Sequence, residues 1–310
     1  MWAKLFRQAP VVETRAERWP TPDDDEIELH RLDAPADSSP HAPRLVILHG
    51  LEGTIRSNYV HGTLAQARAR GWAADVLIFR GCGEMNRQRR MYHSGETSDV
   101  NLVVQRLAHE NPGQPLIVVG FSLGGNVLLK WLGEQGDALC PQVRAAAAVS
   151  VPFDLEGGAR RIERGFSRVY TWHFLRTLKA KARKKLDHYP GLFDAGALER
   201  ATSLYAFDDA VTAPVHGFRD AHDYYSRSSS LQFLEAIRIP TLLISATDDP
   251  FLPPQVADAV RILAHNSDVL DAELWPSGGH VGFVSGHDPR RPHYYAEERV
   301  IEFLANTLEL

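Results

Sequence analysis

A serine, an aspartate and a histidine stand in that order along the chain, each just after a short apolar run, and together they could carry out nucleophilic chemistry. Gly120-Phe121-Ser122-Leu123-Gly124-Gly125 follows the apolar run Leu116 to Val119 and leads into the helix formers Asn126 to Leu132. A G-x-S-x-G sequence between a strand and a helix makes a sharp elbow: small residues let the backbone turn, and the helix start aims free N–H groups at the serine. A serine hydroxyl attacks poorly until a base takes its proton, and the base needs a carboxylate to fix its tautomer. His280 is read as the base, on Gly278-Gly279-His280 after the last apolar run, and Asp249 as the carboxylate, in Thr247-Asp248-Asp249-Pro250-Phe251-Leu252-Pro253. Asp249 is preferred to Asp248 because Pro250 and Pro253 follow it in a turn spacing common among elbow enzymes, which leaves Asp248 to cap the turn or the next helix. The developing oxyanion needs donors. These are read as the N–H of Leu123, after the nucleophile, and that of Leu51, after Gly50 in His49-Gly50-Leu51-Glu52-Gly53.

The remaining reactive side chains suggest less. Cys82 and Cys140 are too few for a disulfide framework and are not spaced as a zinc site, and Cys82 reads as a small buried thiol. His93 could line a pocket or cap the helix beginning near Ser98. His287 and His293 show no metal-ligand spacing, and neither a phosphate-cradling loop nor a dinucleotide fingerprint is present, so no metal and no cofactor are expected.

These groups need a scaffold that brings strand ends together. From Arg44 onward, Leu45 to Leu48, Ala73 to Phe79, Pro115 to Phe121, Ala145 to Val151, Thr241 to Ala246 and Val269 to Trp275 are short apolar runs separated by segments of helical period. That alternation predicts an α/β fold with a mostly parallel central sheet flanked by helices. Val60 to Arg70, a helix capped by Ser98 or Asp99 with Val100, Val103, Val104 and Leu107 on one stripe, and Ala296 to Leu308 are the predicted helices. Glu26 to His30 alternates polar and apolar residues and reads as an antiparallel edge strand, followed by a loop rich in Pro and Ser.

Between Asp154 and Ile237 the alternation stops, and a stretch too long for a plain connection is helical and aromatic. The expected division is a core of 1–153 and 237–310 with a helical cap insertion at 154–236. Between Leu155 and Pro190 ten Lys or Arg face only three acidic residues, in a chain of net charge −5, while Phe166, Val169, Tyr170, Phe174 and Leu178 recur at helical spacing. The preferred reading is a helix over the pocket with a solvated basic side; the alternative is weak peripheral contact with anionic membranes. Nucleic acid is not an expected partner, and oligomeric state cannot be read. Met1 to Pro10 lacks the apolar core of a signal peptide and no run approaches a membrane span, so a cytoplasmic location is expected.

His49-Gly50-Leu51-Glu52-Gly53, Arg80-Gly81-Cys82, Tyr92-His93-Ser94-Gly95, Gly120 to Asn126, Tyr224-Tyr225, Asp248 to Phe251 and Gly278-Gly279-His280 together resemble the YheT-like esterases, bacterial relatives of the eukaryotic abhydrolase-domain lipases. The resemblance covers nearly the whole chain. It implies the α/β-hydrolase fold and a carboxylic ester hydrolase, with short acyl esters, monoacylglycerols or phospholipids as substrate classes. Arg80-Gly81-Cys82-Gly83-Glu84-Met85-Asn86 is one residue shorter than the usual family loop. Two alternatives stand beside hydrolysis: an acyltransferase using the same acyl-enzyme, and a binding scaffold with an idle triad.

Overall fold

The apolar runs become strands because short segments buried on both faces satisfy their N–H and C=O groups along neighbouring strands of a covered sheet. The computed structural model describes residues 10–39, 41–163, 165, 168–286 and 292–309. The N-terminal segment through Ala9, and Arg164, Phe166 and His287, lie outside the described residues. The strands are β1 (Arg15–Thr21), β2 (Asp25–Leu32), β3 (Arg44–Leu48), β4 (Ala73–Ile78), β5 (Leu116–Phe121), β6 (Val143–Val149), β7 (Thr241–Ala246) and β8 (Leu270–Trp275). They form one sheet in the order β1-β2-β4-β3-β5-β6-β7-β8. β3 to β8 are parallel, so their carboxyl ends share one edge; β2 pairs antiparallel with β4, and β1 pairs antiparallel with β2.

Two expectations are corrected here. Glu26 to His30 is not on the edge, because β1 pairs along its outer side with Trp19 opposite Ile27. β1 escaped notice because its only large apolar residue is Trp19, whose buried ring carries the Arg106 guanidinium 4.0 Å from its centroid. Helices α1 (Asn58–Ala69) and α2 (Ser98–Glu110) form where predicted, but neither Ser98 nor Asp99 caps α2. Asp99 is drawn instead to Arg80, which donates to both its oxygens at 2.8 and 2.5 Å.

Helix α3 (Leu123–Gln135) follows the serine and is buried along most of its length. The span between β6 and β7 is helical: α4 (Leu155–Ile162), α5 (Arg168–His188), α6 (Ala195–Arg200), α7 (Leu204–Phe207), a π-turn (Asp208–Thr212), α8 (Ala213–His216), α9 (Ala221–Ser228) and a 3-10 stretch (Ser230–Ala236). It has an apolar cluster of its own, including Ile162, Leu198, Val211 and Tyr225, into which Phe251 of the core inserts. Helices α10 (Pro254–His265) and α11 (Tyr295–Thr307) complete the core.

In α5, Tyr170, Phe174 and Leu178 pack on that cluster, but Val169 is 45% exposed because one residue along a helix turns the side chain by about 100°. The expected basic side is not one solvated face. Lys185 is 1% exposed and donates to Asn86 O, Asn86 Oδ1 and Gln88 O, while Lys181 reaches Glu52 at 2.7 Å. Arg183 turns outward and pairs with Glu199. Cations of one sequence run therefore serve opposite faces. Among the described residues no helix is long and apolar enough to cross a membrane.

Candidate active site

β5 delivers Ser122 to the common edge at φ 54 and ψ −119, a left-handed conformation worth roughly 1–3 kcal/mol of strain in a non-glycine residue. The elbow closes only around glycine. A Cβ on Gly120 would lie 2.5 Å from Gly124 O, and one on Gly124 would lie 2.4 Å from Leu48 O. The Ser122 N–H donates to Val149 O at 2.8 Å, which ties the turn to the neighbouring strand.

β7 and β8 bring up the other two residues. His280 Nε2 lies 2.8 Å from Ser122 Oγ, and its Nδ1 lies 2.9 and 3.1 Å from the two oxygens of Asp249. Asp249 is 1% exposed and also accepts the Phe251 N–H at 2.8 Å, while the Phe251 ring lies against the imidazole with centroids 4.3 Å apart. Asp248 accepts from the N–H groups of Gly278 and Gly279 at 3.0 and 2.8 Å, and so shapes the histidine loop without touching the ring. Sequence reasoning missed what holds that loop. Ser150, after β6, accepts the Val281 N–H on its Oγ at 2.9 Å, and Ser150, Val281 and Phe283 all have positive φ. A β-branched residue in that region is a true outlier, and no propensity would have pointed to it.

Gly50, Leu51 and Leu123 also meet Ser122. A Cβ on Gly50 would approach Ser122 Cβ to 3.1 Å, and Leu51 and Leu123 line the same cavity as the serine. Leu123 opens α3, where the N–H has no partner within the helix. On either side of Leu51 the backbone is tied: the Gly50 N–H donates to Tyr59 Oη at 2.8 Å and the Glu52 N–H to Tyr92 Oη at 3.0 Å. His49 Nδ1 lies 2.8 Å from Gly50 O, and Nε2 accepts the Phe79 N–H at 3.1 Å, pinning the loop to the end of β4. Burial pushes the His49 pKa down to about 4, which keeps the ring neutral and suited to those two bonds.

The cavity over Ser122 measures about 240 Å³ and lies between the sheet edge and the helical span. Apolar side chains such as Met85, Met91, Leu155, Leu178 and Phe207 make up much of its wall. The loop from Arg80 is held from below by Asp25, which accepts from Asn86 Nδ2, from the N–H groups of Arg87 and Gln88, and from Arg80. Burial would raise the Asp25 carboxyl, but these bonds bring it below its ordinary range. Lys185 grips the same loop from above. His93 lines the cavity and accepts the Gly95 N–H, which settles its two readings in favour of the pocket. Asn126 on α3 donates to Ser94 O and Ser228 O and accepts from Ser230 N, joining that loop to the end of the helical span. Tyr224 Oη accepts the Ser94 N–H, and Tyr225 donates to Asp208, whose carboxyl burial raises to about 6. Cys82 is a free, buried thiol whose burial pushes its pKa up to about 12, favouring the neutral thiol at neutral pH.

A family model described as alpha/beta hydrolase fold matches residues 43–285. The chain is 41% identical over 312 residues to the protein named Putative esterase YheT of Escherichia coli (strain K12), covering 100% of this chain and 90% of that one. It is 30% identical over 264 residues to the monoacylglycerol lipase of Saccharomyces cerevisiae (strain ATCC 204508 / S288c), covering 82% of this chain and 57% of the lipase. Among solved structures, the Pyrococcus furiosus esterase Pf2001 matches with a TM-score of 0.61 at 16% identity, over 95% of this chain and 92% of that one, a likeness of fold alone.

Proposed function

The chain belongs to the α/β-hydrolase family as an ester-hydrolysing enzyme of the esterase and lipase type, and from that premise we propose that it works through an acyl-enzyme on Ser122. The observation that carries this reading is the unbroken line from Ser122 Oγ through His280 to the buried Asp249. His280 Nε2 takes the hydroxyl proton as Oγ attacks the ester carbonyl, and Asp249 keeps the other proton on Nδ1 and stabilises the imidazolium. The N–H groups of Leu51 and Leu123 receive the oxyanion. His280 then returns its proton to the departing alcohol, and water repeats the sequence on the acyl-enzyme to release the acid.

Residues 154–236 act as the cap over this site, and the apolar cavity suits an acyl chain. The substrates are carboxylic esters of short acyl groups or of lipids such as monoacylglycerol, and no cofactor takes part. A fluorophosphonate tests the reading directly: it should label the protein once, at Ser122, and Ser122→Ala should remove the label. Labelling that persists in the variant, or never occurs in the wild type, would overturn it.

A further inference from the structure

Glu52 follows Leu51 and is one of the few non-glycine residues with positive φ, at 56. A side chain that long has no intrinsic reason to stay left-handed. Three hydrogen bonds keep it there. Its N–H donates to Tyr92 Oη at 3.0 Å, and its Oε1 accepts from Tyr92 Oη at 2.8 Å and from Lys181 Nζ at 2.7 Å. Tyr92 is fixed in turn by stacking on Phe79, with centroids 5.8 Å apart and planes 6° apart. The Glu52 side chain is nearly buried, so its carboxylate needs the ammonium of Lys181. Lys181 stands on α5, across the cavity from the loop it holds.

We propose that Lys181 is a positioning residue that, with Tyr92, locks Glu52 in its left-handed conformation and so aims the Leu51 N–H at the substrate oxygen. The helical span thereby completes the oxyanion loop as well as covering the pocket. This rests on the acyl-enzyme reading above. A residue that orients an oxyanion donor acts on the transition state, whereas a cavity-lining lysine that touches substrate acts on binding as well. The two roles therefore separate in kcat and KM.

The test is steady-state turnover of a soluble short-chain ester by Lys181→Met, Lys181→Arg and Tyr92→Phe, with wild type and Ser122→Ala as references and folding checked by thermal melting. Loss of one oxyanion donor costs about 10²–10³ in kcat, so a misaimed one in Lys181→Met should cost at least about 10-fold, with KM within about twofold of wild type. Lys181→Arg keeps the charge and should recover most of the loss. Tyr92→Phe keeps the ring stack, removes the other bonds and should reproduce the kcat loss, which preserves the test if Lys181→Met does not fold. Unchanged kcat in folded Lys181→Met and Tyr92→Phe, or a change confined to KM, would overturn the proposal while leaving the acyl-enzyme reading intact. Activity surviving in Ser122→Ala would instead overturn that reading, and this inference with it.

Discussion

The sheet wall of the cavity is tied within itself, strand end to adjoining loop, whereas the cap wall is held chiefly by long side chains. Ser122 is tied through its own N–H to Val149 O on the next strand, and the His280 loop is held within the same wall, its N–H groups donating to Asp248 Oδ1 and Ser150 Oγ. Across the cavity, Lys181, Lys185 and Tyr224 depend on hydrogen bonds between their own tips and the loops they face, while Tyr225 bonds Asp208 within the cap. The backbone tie of Ser122 survives most substitutions, but side-chain bonds do not. The elbow should therefore resist change around it, while the position of the cap should answer to single side chains.

The sharpest contrast comes from the sheet wall. Ser122→Ala should lower ester turnover by about 10⁶-fold without loss of folding, as ester assays beside far-ultraviolet spectra would show. Asp249→Asn should lower kcat by about 10³–10⁴-fold by presenting the wrong His280 tautomer, while Asp248→Asn, which loosens only the Gly278-Gly279 turn, should cost far less. The opposite ranking would move the acid one residue along the chain. On the cap wall, Lys185→Met strands the acceptors of Asn86 and Gln88 and should destabilise the fold by about 2–4 kcal/mol in urea melts. Its kcat in folded protein should stay close to wild type, which a collapse in turnover would refute.

A finer test uses two histidines that burial pushes down to about 4, His49 on the sheet wall and His216 on the cap wall. Their unfolded values are ordinary, near 6.5, so between pH 6.5 and 4 the unfolded chain binds protons that the folded chain refuses. Stability is full above that window and falls as pH is lowered through it, with each ring contributing up to about 3 kcal/mol. His49→Gln and His216→Gln should each flatten the decline in melting temperature. Only His49→Gln, which frees Gly50 O and the Phe79 N–H, should also lower kcat.

The smallest expected effect lies outside the cavity. Trp172, 63% exposed with Arg176 stacked 5.3 Å from its ring, and Val169 give α5 an outward apolar and basic strip. We propose weak contact with anionic lipid there. Co-sedimentation with anionic vesicles should be measurable at low salt, fade at high salt and drop in Trp172→Ser, with short-chain turnover unchanged. Binding that ignores salt would refute it.

The sheet wall was legible because its signals are local: an elbow directly after β5, a carboxylate directly after β7 and a histidine directly after β8 each declare themselves within a few residues. The ties that aim them are not local. Lys181 and Glu52 are 129 residues apart and Val281 and Ser150 are 131 apart, and no periodicity links such partners. Basic residues of α5 looked like one solvated face because composition counts charge without direction. β1 was lost for a similar reason, since a largely exposed edge strand with a single large apolar side chain leaves little alternation to read.

Asp25 gives the first strands an importance for activity that no residue of the triad reveals. It lies 3.4 Å from the Arg80 guanidinium, beside the nearer Asp23 and Asp99, and caps the turn of Asn86, Arg87 and Gln88, so the floor of the cavity is borrowed in part from a hairpin far upstream. A shortened gene beginning at Arg44 would still encode the serine, the acid, the base and both oxyanion donors. It would also encode a guanidinium stripped of two carboxylates, Asp23 and Asp25, and a loop that has lost its support from Asp25. The smallest stretch of chain that can inherit this activity is therefore longer than the stretch that carries out its chemistry.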